Sequence, residues 1–308
     1  MTNKKKILIT GVSGMLGSNL AYYFRDEYQI LGLYHQHEMG IDRVETQKCD
    51  LKNLDEIEDC LKLYGPDIII HCASLTNVDY CETHKEDTYH VNVAATKNLV
   101  KRSQNSKFIY ISSDSVYEGL KGDYKESEVT DNQMNYYGTT KFEGEKAVEH
   151  LKDSLILRTN IFGWNYQDKE SIGEWIVNRL SADREINGFE DAFFSSIYTM
   201  ELIRILDICI QKDICGTYNC ASIDSISKYG FAVKLAKKLG LKESLVKPVS
   251  IEKFPFKAKR GKNLSLNSEK IQNKINYQLP DMEYSIDQFY RDYKSGLPLK
   301  IKNAGFSS

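Results

Sequence analysis

The sequence KKKILITGVSGMLGS, residues 4–18, decides the fold of this chain. A short apolar run, Ile7–Ile9, predicts a buried strand, and glycines follow it at positions 11, 14 and 17. The next residues, through Phe24, have apolar side chains at helical spacing. The stretch therefore predicts a strand, a tight turn and a helix.

Glycines in such a turn serve three purposes: one allows the sharp turn, one lets the backbone approach a pyrophosphate, and one lets the helix lie close to the sheet. The free N–H groups and the positive dipole end of the helix then point at the phosphates. Glycine spacing alone is weak support, but its place directly after an N-terminal strand favours a dinucleotide site. The residues expected there are Gly11, Ser13, Gly14, Met15, Leu16 and Gly17.

Composition excludes several classes of protein. Of the 308 residues, 41% are hydrophobic and 27% charged, which is typical of a soluble globular protein. No apolar run approaches the roughly 18 residues of a membrane span, and the basic start leads into glycines instead of an apolar segment, so no signal peptide is expected. A net charge of −2 gives no reason to expect nucleic acid.

The cysteine pattern predicts reduced thiols in a cytoplasmic protein. The seven cysteines are scattered and contain no Cys-x-x-Cys pair. His35 and His37 could share a metal ion, but no cysteine or carboxylate is spaced to complete a site. We therefore expect no metal.

Strand and helix patterns alternate over the first half of the chain. Strands are predicted at Gln29–Leu33, Ile68–Ala73, Phe108–Ile111 and Ser154–Leu157, and helices at Leu54–Tyr64, Glu82–Ser103 and Asn135–Leu151. This alternation predicts an α/β fold with a Rossmann-like, doubly wound parallel sheet. Residues 1–163 are the expected NAD(P)-binding domain.

The second half is less regular. Helices are predicted at Ser171–Leu180, Thr199–Gln211, Lys228–Leu239 and Ser285–Ser295. We interpret residues 164–308 mainly as a smaller substrate-binding lobe, with some segments returning to the first domain. Residues 185–198 and 255–266 are the expected substrate contacts.

The end of the second strand indicates the type of cofactor. An acidic residue there would bind the 2′-hydroxyl of NAD, but this strand leads into Tyr34-His35-Gln36-His37. His35 with Arg43 or Lys48 could instead face a 2′-phosphate, which favours NADP(H), with NAD(H) as the alternative. Because ligands bind beyond the carboxyl ends of parallel strands, further cofactor contacts are expected at Asp50, Leu51, Cys72, Ala73 and Ser74.

A Tyr-x-x-x-Lys pair carries the chemistry. Residues four apart share one helix face, and a nearby ammonium lowers the pKa of a phenol from its usual value near 10. The spacing occurs three times, at Tyr117/Lys121, Tyr137/Lys141 and Tyr290/Lys294. Only Tyr137/Lys141 opens a helix shortly after a strand that ends in serines, so it is the predicted catalytic pair.

These motifs together resemble the extended short-chain dehydrogenase/reductase family. The matching residues are Thr10-Gly11-x-x-Gly14-x-x-Gly17, Ser112-Ser113 and Tyr137-x-x-x-Lys141. Within that family the chain is similar to the dTDP-4-dehydrorhamnose reductase group through Thr76-Asn77-Val78-Asp79-x-Cys81-Glu82, Val91-Asn92, Ser113-Asp114-Ser115-Val116-Tyr117-x-Gly119 and Leu157-Arg158-Thr159. The resemblance covers roughly the first 165 residues and is loose beyond them, since Phe194–Thr199 replaces a glycine-small-Pro-Thr turn.

The resemblance implies roles for individual residues. Tyr137 would be the general acid, Lys141 would hold the nicotinamide ribose and tune Tyr137, and Ser113 would hydrogen-bond the reacting oxygen. Thr76 and Asn92 would line the cleft, Thr76 on the substrate side. The implied reaction is reduction of a nucleotide-linked 4-keto-6-deoxy sugar with a nicotinamide cofactor.

Further substrate contacts are expected at Asp114, by comparison with the dehydratases of the same family, and in the loop of Arg260 and Lys262. Asp114 is followed by Ser115, not by the second acid of a 4,6-dehydratase, which favours simple ketone reduction; Asp114 contacts the substrate or caps backbone N–H groups. Arg260 and Lys262 either bind the diphosphate, since arginine matches phosphate geometry, or form a solvated basic loop. Two other functions remain alternatives: a nucleotide-sugar epimerase, and a dinucleotide-binding regulatory subunit such as that of methionine adenosyltransferase. For the assembly of the protein, a homodimer is one of the alternatives.

Overall fold

The computed structural model describes residues 4–103, 105–167 and 169–303. In chain order the first half contains β1 (Lys6–Thr10), α1 (Met15–Phe24), β2 (Gln29–Tyr34), β3 (Glu45–Lys48), α2 (Leu54–Tyr64), β4 (Ile68–His71), α3 (Val78–Thr83), α4 (Lys85–Tyr89), a π-helical turn (His90–Ala94), α5 (Ala95–Arg102), β5 (Lys107–Ser113), α6 (Tyr136–Val148) and β6 (Ser154–Thr159). Short 3₁₀ turns lie at Asp114–Val116 and Glu126–Glu128. No helix within the described ranges is long and apolar enough to cross a membrane.

The second half is built from shorter pieces. It contains β7 (Ile161–Phe162), α7 (Ile172–Ser181), β8 (Ile186–Phe189), β9 (Phe193–Phe194), β10 (Ile197–Tyr198), α8 (Thr199–Gln211), β11 (Gly216–Asn219), β12 (Ile226–Ser227), α9 (Lys228–Leu239), β13 (Val246–Val249), α10 (Glu269–Ile275), α11 (Met282–Lys294) and α12 (Leu297–Asn303). Two further 3₁₀ turns lie at Glu243–Leu245 and Ile251–Lys253.

Seven parallel strands form the main sheet, in the order β11-β6-β5-β4-β1-β2-β3. β1 and β4 are buried along nearly their whole length, because helices cover both faces of the sheet. The chain runs from β1 to one edge and then returns to β4 on its other side, so a crevice opens beyond their carboxyl ends. This confirms the doubly wound α/β fold predicted from the sequence.

The last strand of the sheet comes from the second half of the chain. β11 pairs with β6, with Gly216 opposite Leu155, and α8 packs against α1. One apolar core accordingly combines side chains of β1 and α1, such as Ile7 and Leu20, with Leu202 and Leu206 of α8. Residues 199–219 therefore lie with the sheet and not with the smaller lobe.

A second apolar core lies in the C-terminal part. Phe162, Phe231 and Phe289 form its centre, with ring centroids 5.0 and 5.5 Å from that of Phe162. α7, α9 and α11 pack around it, and the two-stranded sheets β8–β13 and β9–β12 border α9. This part forms one wall of the crevice.

Within the first half of the chain, two regions differ from the sequence prediction. The helix expected over Glu82–Ser103 is divided into α3, α4, the π-turn and α5, because His84 leaves helical geometry and ends α3. β3 was not predicted, since its residues, ETQK, are polar and largely exposed at the sheet edge. Apolar residues alternate along a strand where one of its faces packs on a core, and β3 is largely exposed.

Candidate active site

The glycine turn brings three backbone segments close together. Gly11 has φ +66°, and a Cβ there would lie 2.8 Å from Cα of Ala73. A Cβ on Gly17 would lie 2.3 Å from the Gly11 carbonyl oxygen, so α1 can approach the turn only because of glycine. The N-cap of α1, Gly14, has no side chain to cap the helix, which leaves N–H groups of the first turn for a ligand.

A buried chain of hydrogen bonds holds the ends of β1 and β4 together. Thr10 Oγ1 lies 2.6 Å from His71 Nδ1 and accepts a 3.2 Å hydrogen bond from the Ala73 N–H. His71 Nε2 lies 2.9 Å from Thr96 Oγ1 on α5. Burial lowers the pKa of His71 to about 3, so the ring is neutral and serves as a fixed spacer between these elements.

Asn92, in the π-turn, fixes the loop after β4. Its side-chain oxygen accepts hydrogen bonds from the Leu75 N–H at 2.8 Å and from Ser74 Oγ at 3.1 Å. Its amide group donates to the Leu75 carbonyl and to Thr140 Oγ1 of α6, both at 3.1 Å. All of its polar atoms are used within the protein, so Asn92 shapes the cofactor cleft from behind.

Ser113 and Asp114 lie at the carboxyl end of β5. Ser113 Oγ donates to Asp114 Oδ1 at 3.0 Å and accepts from the Ser115 N–H at 3.1 Å. Asp114 Oδ1 also accepts from Ser115 Oγ at 3.3 Å, and its Oδ2 accepts from Asn160 Nδ2 at 2.7 Å. Burial raises the pKa of Asp114, while these hydrogen bonds and the charge of Lys228 oppose that rise.

Helix α6 carries the predicted catalytic pair. Asn135 caps it by accepting a 3.0 Å hydrogen bond from the Gly138 N–H. A Cβ on Gly138 would lie 2.0 Å from the Ser115 carbonyl oxygen, and one on Gly144 would lie 2.2 Å from the hydroxyl of Tyr110. Two glycines on this face therefore let α6 lie directly against β5 and the turn after it.

Behind α6, a buried ion pair ties the helix to two strands. The Arg158 guanidinium of β6 donates to both carboxylate oxygens of Glu145, with Nη2 2.7 Å from Oε2. Ser112 of β5 donates to the same carboxylate. Arg158 Nη1 donates to the Tyr117 hydroxyl at 2.9 Å, so the guanidinium is satisfied on several sides although it is only 2% exposed.

The Lys141 side chain is oriented by the backbone carbonyl of Ile111 and not by Tyr137. Its Nζ donates to the Ile111 carbonyl at 2.7 Å and lies 4.1 Å from the centre of the Tyr110 ring. Burial lowers the pKa of Lys141 to about 8, although the negative charge of Glu145 acts to raise it. Burial likewise raises the pKa of Tyr137, an effect that the Ser113 hydroxyl opposes and Asp114 reinforces.

This corrects one expectation. The sequence predicted that Lys141 lowers the pKa of Tyr137, but here the ammonium points to Ile111, and desolvation of the phenol dominates. The phenol is therefore held in its protonated form.

The residues of the other two Tyr-x-x-x-Lys pairs make contacts elsewhere in the protein. Tyr117 is buried, stacks on Tyr124 at 4.7 Å and donates to Asn219 at 2.8 Å, whereas Lys121 pairs with Glu128. Lys294 lies over the ring of Tyr290 on α11. Neither pair lines the crevice.

One cavity of about 510 Å³ joins the glycine turn to the ends of β4, β5 and β6. It is lined by the predicted residues Gly11, Gly14, Met15, Leu16, Gly17, Cys72, Ser74, Thr76, Ser113, Asp114, Tyr137 and Lys141. The glycine turn and the three catalytic candidates, separated by about a hundred residues of sequence, thus face the same space.

The remaining predicted cofactor residues do not line this cavity. Ser13 and Ala73 belong to the turns that border it. His35, Asp50 and Leu51 follow the ends of β2 and β3, with His35 Nε2 3.8 Å from Asp50 Oδ2. Arg43, a candidate for a 2′-phosphate, instead pairs with Asp26 and Asp42.

Arg260 and Lys262 both make ion pairs within the protein. Arg260 Nη2 lies 3.0 Å from Asp79 Oδ1, while Lys262 pairs with Glu252 on the surface. Of the two ranges expected to contact substrate, 185–198 contributes Phe194 to the cavity and 255–266 contributes no lining residue.

Several cavity residues were missed by sequence reasoning. They are Thr159, Asn160, Ile161, Asn165, Gln167, Lys169, Glu170, Ser171, Ile172 and Lys228. Lys169 crosses the opening and donates to Thr76 Oγ1 at 2.9 Å. Most lie in loops without a local pattern, but Lys228 had a signal, because it opens a helix whose first turn has no acidic residue.

A cluster outside the cavity was also missed. Asp153, Asp213 and Cys215 place their ligand atoms within 4.8 Å of one another, an arrangement that could hold a metal ion. Lys107 Nζ already lies 2.8 Å from Asp153 and 2.9 Å from Asp213, so the carboxylates are neutralised by an ammonium group.

Three features define the class of extended short-chain dehydrogenases/reductases. They are a parallel seven-stranded sheet, a glycine turn at its first strand, and a serine, a tyrosine and a lysine around one cavity. Comparison with known families narrows this class. The chain matches the model of the RmlD substrate binding domain over residues 5–295 and belongs to that family. The resemblance stated from the sequence is therefore confirmed.

Individual relatives cover nearly the whole chain. A dTDP-4-dehydrorhamnose reductase of Aggregatibacter actinomycetemcomitans is 28% identical over 299 residues, 91% of this chain and 97% of that protein. The methionine adenosyltransferase 2 subunit beta of Danio rerio is 26% identical and covers 88% of this chain and 85% of that protein. A crystal structure of dTDP-4-dehydrorhamnose reductase from Bacillus anthracis in complex with NADP superposes with a TM-score of 0.83 at 26% identity, covering 94% and 99% of the two chains.

Proposed function

We propose that this chain is an NADPH-dependent reductase of a nucleotide-linked 4-keto-6-deoxy sugar. The observation that carries the proposal is the single cavity that Ser113, Tyr137 and Lys141 share with the glycine turn. Full-length similarity to two dTDP-4-dehydrorhamnose reductases supports the substrate class. NADP in the Bacillus anthracis structure supports the cofactor, with NAD as the alternative.

The chain's own residues fit a dinucleotide. Side chains are absent at Gly11, Gly14 and Gly17, where a Cβ at the first and third would clash, and the uncapped start of α1 offers N–H groups to a pyrophosphate. His35, at the end of β2, would face the adenosine ribose, and Lys141 the nicotinamide ribose. When bound, the reduced nicotinamide supplies a hydride.

The protein's part is to stabilise and protonate the ketone oxygen. Tyr137 starts protonated because burial raises its pKa, so it can act as the general acid, and Ser113 orients the same oxygen. The Lys141 ammonium lies in the same cavity and stabilises negative charge that develops on the phenol oxygen. Without substrate the Ser113 hydroxyl donates its proton to Asp114, so on substrate binding it would turn from Asp114 to the ketone oxygen.

Steady-state kinetics with purified protein tests this function. We expect NADPH oxidation, followed by absorbance, when a dTDP-4-keto-6-deoxy sugar is added. Tyr137→Phe should lower kcat by roughly a hundred-fold or more and leave the Kd for NADPH unchanged. Tyr136→Phe, on the neighbouring position outside the cavity, is the matched control and should keep wild-type rates.

A second function is favoured by one specific finding, the similarity to a methionine adenosyltransferase subunit. In that case the chain would bind a dinucleotide and a partner protein without turnover. Tight NADPH binding with no oxidation of cofactor by any 4-keto nucleotide sugar would support this function and reject the reductase. Full activity of Tyr137→Phe would reject the assignment of the acid.

A further inference from the structure

Thr159, the last residue of β6, has a buried hydroxyl group without a partner. The residue lines the cavity and is only 5% exposed. Within the described ranges, its Oγ1 makes no hydrogen bond. A buried hydroxyl without a hydrogen bond is both costly and uncommon in folded proteins. A ligand group in the cavity would supply the missing partner.

Thr159 differs in this respect from the other serines and threonines that line the cavity. Each of the other six has a side-chain hydroxyl that is bonded to another described residue. They are Ser74, Thr76, Ser112, Ser113, Ser115 and Ser171. The folded chain thus satisfies these hydroxyl groups by itself and leaves the hydroxyl of Thr159 for a ligand.

The register of β5 and β6 places Thr159 beside Ser113. The two residues are opposite each other on parallel strands, so their side chains project from the same face of the sheet, about 4.8 Å apart. One residue earlier, Ser112 and Arg158 both reach Glu145 on the other face. The hydroxyls of Ser113 and Thr159 therefore form a neighbouring pair at the carboxyl end of the sheet.

The distance between these two strand ends is fixed one residue further on. Asn160 Nδ2 donates a 2.7 Å hydrogen bond to Asp114 Oδ2, which links the residues that follow Thr159 and Ser113. Two hydroxyls at the spacing of neighbouring strands match oxygens on adjacent carbons of a sugar, because hydrogen bonds of about 2.8 Å can converge on them. The pair is therefore suited to two adjacent oxygens of one ligand.

The place of β6 in the sheet favours the substrate over the cofactor. The glycine turn follows β1, and β4 and β5 lie between β1 and β6. Three strand spacings of about 4.8 Å each thus separate Thr159 from the pyrophosphate end of the cofactor site. Ser113, which the proposed function places at the ketone oxygen, lies on the strand next to Thr159.

We propose that the Thr159 hydroxyl binds the hydroxyl group on C3 of the sugar, next to the ketone at C4, and so makes the protein selective for α-hydroxy ketones. The inference rests on the proposed function and adds a specificity-determining residue to it. Ser113 contacts the ketone oxygen and Thr159 the adjacent hydroxyl. A substrate without that hydroxyl leaves Thr159 unpartnered, and a site built to bind a hydroxyl rejects the analogue that lacks it.

Steady-state kinetics with a dTDP-4-keto-6-deoxy sugar and its 3-deoxy analogue tests this contact. Thr159→Val keeps the shape of the side chain and removes the hydroxyl. We expect kcat/KM for the 3-hydroxy sugar to fall roughly ten-fold, with little change for the analogue. Wild type should therefore prefer the 3-hydroxy sugar by a similar factor, and Thr159→Val should lose this preference.

Two further variants serve as controls. Thr159→Ser retains a hydroxyl and should retain the preference. Thr217→Val makes the same change on the neighbouring strand β11, outside the cavity, and should behave as wild type. The Kd for NADPH and the melting temperature should be equal in all four proteins.

Equal kcat/KM for the two sugars in wild type would overturn the contact without any variant. An undiminished preference in Thr159→Val would also overturn it, as would weaker NADPH binding by this variant, which would assign the hydroxyl to the cofactor. If neither sugar is reduced, the proposed function fails, and isothermal titration calorimetry of both sugars into NADPH-saturated protein tests the contact by itself. Tighter binding of the 3-hydroxy sugar by wild type, lost in Thr159→Val, would then support it. A preference that persists in the variant, equal binding of the two sugars, or no binding would reject it.

Discussion

Tyr137 and Lys141 show how burial changes the chemistry of a residue pair. In water a lysine would be fully charged up to high pH, but burial lowers the pKa of Lys141 to about 8 and raises that of Tyr137. The charge on Lys141 is therefore lost within the range in which the protein can be assayed, while the phenol stays protonated.

The pH dependence of the reaction follows from Lys141. Below about pH 8 the ammonium is charged and can stabilise the developing phenolate; above it the charge is lost. Because kcat/KM reports the groups of the free enzyme, we expect the reductive kcat/KM to fall as pH rises, with an apparent pKa near 8. In Lys141→Met kcat should be low and this limb of the profile absent. The same limb in the variant would assign the titration to another group.

Arg158 is a second buried cation, and its role is structural because its charge is enclosed by the protein and paired with Glu145. Arg158→Met leaves the buried Glu145 carboxylate without its partner, so the free energy of unfolding should fall by about 3–5 kcal/mol. Urea denaturation measures this. The exposed Arg184→Met is the control and should unfold as wild type. Replacing Glu145 by Met as well should restore most of the loss; a double variant no more stable than Arg158→Met would contradict this account.

At the scale of elements, the distance between α6 and β5 positions the proposed catalytic pair, Tyr137 and Lys141. Two glycines permit the contact, and each is closed in by fixed atoms: the Ser115 carbonyl at Gly138 and the Tyr110 hydroxyl at Gly144. The same helix carries Tyr137 and Lys141 into the cavity. Packing of one helix on one strand therefore decides where the acid and the ammonium lie.

Gly144→Ala tests this contact. The new methyl group would lie 2.2 Å from the Tyr110 hydroxyl, so α6 must shift, and stability should fall by about 1–3 kcal/mol. We expect kcat to fall while the Kd for NADPH changes little. Tyr110→Phe in the same chain removes the nearest atom and should recover part of both losses. If kcat in Gly144→Ala equals that of wild type, helix spacing does not set catalysis.

For the whole molecule, the main sheet and its first core depend on both halves of the sequence. β11 completes the sheet beside β6, and α8 covers one face together with α1. Apolar side chains at Ile203 and Ile205 of α8 are fully buried in the same core as Ile9 of β1. The first half by itself would leave this face exposed to water.

We therefore expect that a fragment of residues 1–163 does not fold cooperatively. It lacks α8 and β11, and the uncovered apolar face should cause aggregation or a broad thermal transition. Thermal unfolding followed by near-ultraviolet circular dichroism, with the full chain as reference, checks this. A sharp transition in the fragment, together with NADPH binding, would show that the first half is an independent domain.

The sequence by itself determined the glycine turn and the parallel α/β fold, and it singled out Tyr137 and Lys141, which of three similar pairs is the one that lines the cavity. These features depend on residues close together in sequence, where spacing and backbone preference act directly. The family also followed from such local motifs, and the comparison with known families confirmed it.

Only the tertiary structure decided the direction of the Lys141 ammonium, the place of Lys228, the ion pair of Arg158 and the addition of β11 to the sheet. Each depends on contacts between residues far apart in the chain, as between Lys228 and Asp114. Desolvation is a property of that packing and not of the residue type. For that reason sequence spacing placed Tyr137 and Lys141 on a helix that lines the cavity but gave the wrong direction for the pKa of the tyrosine.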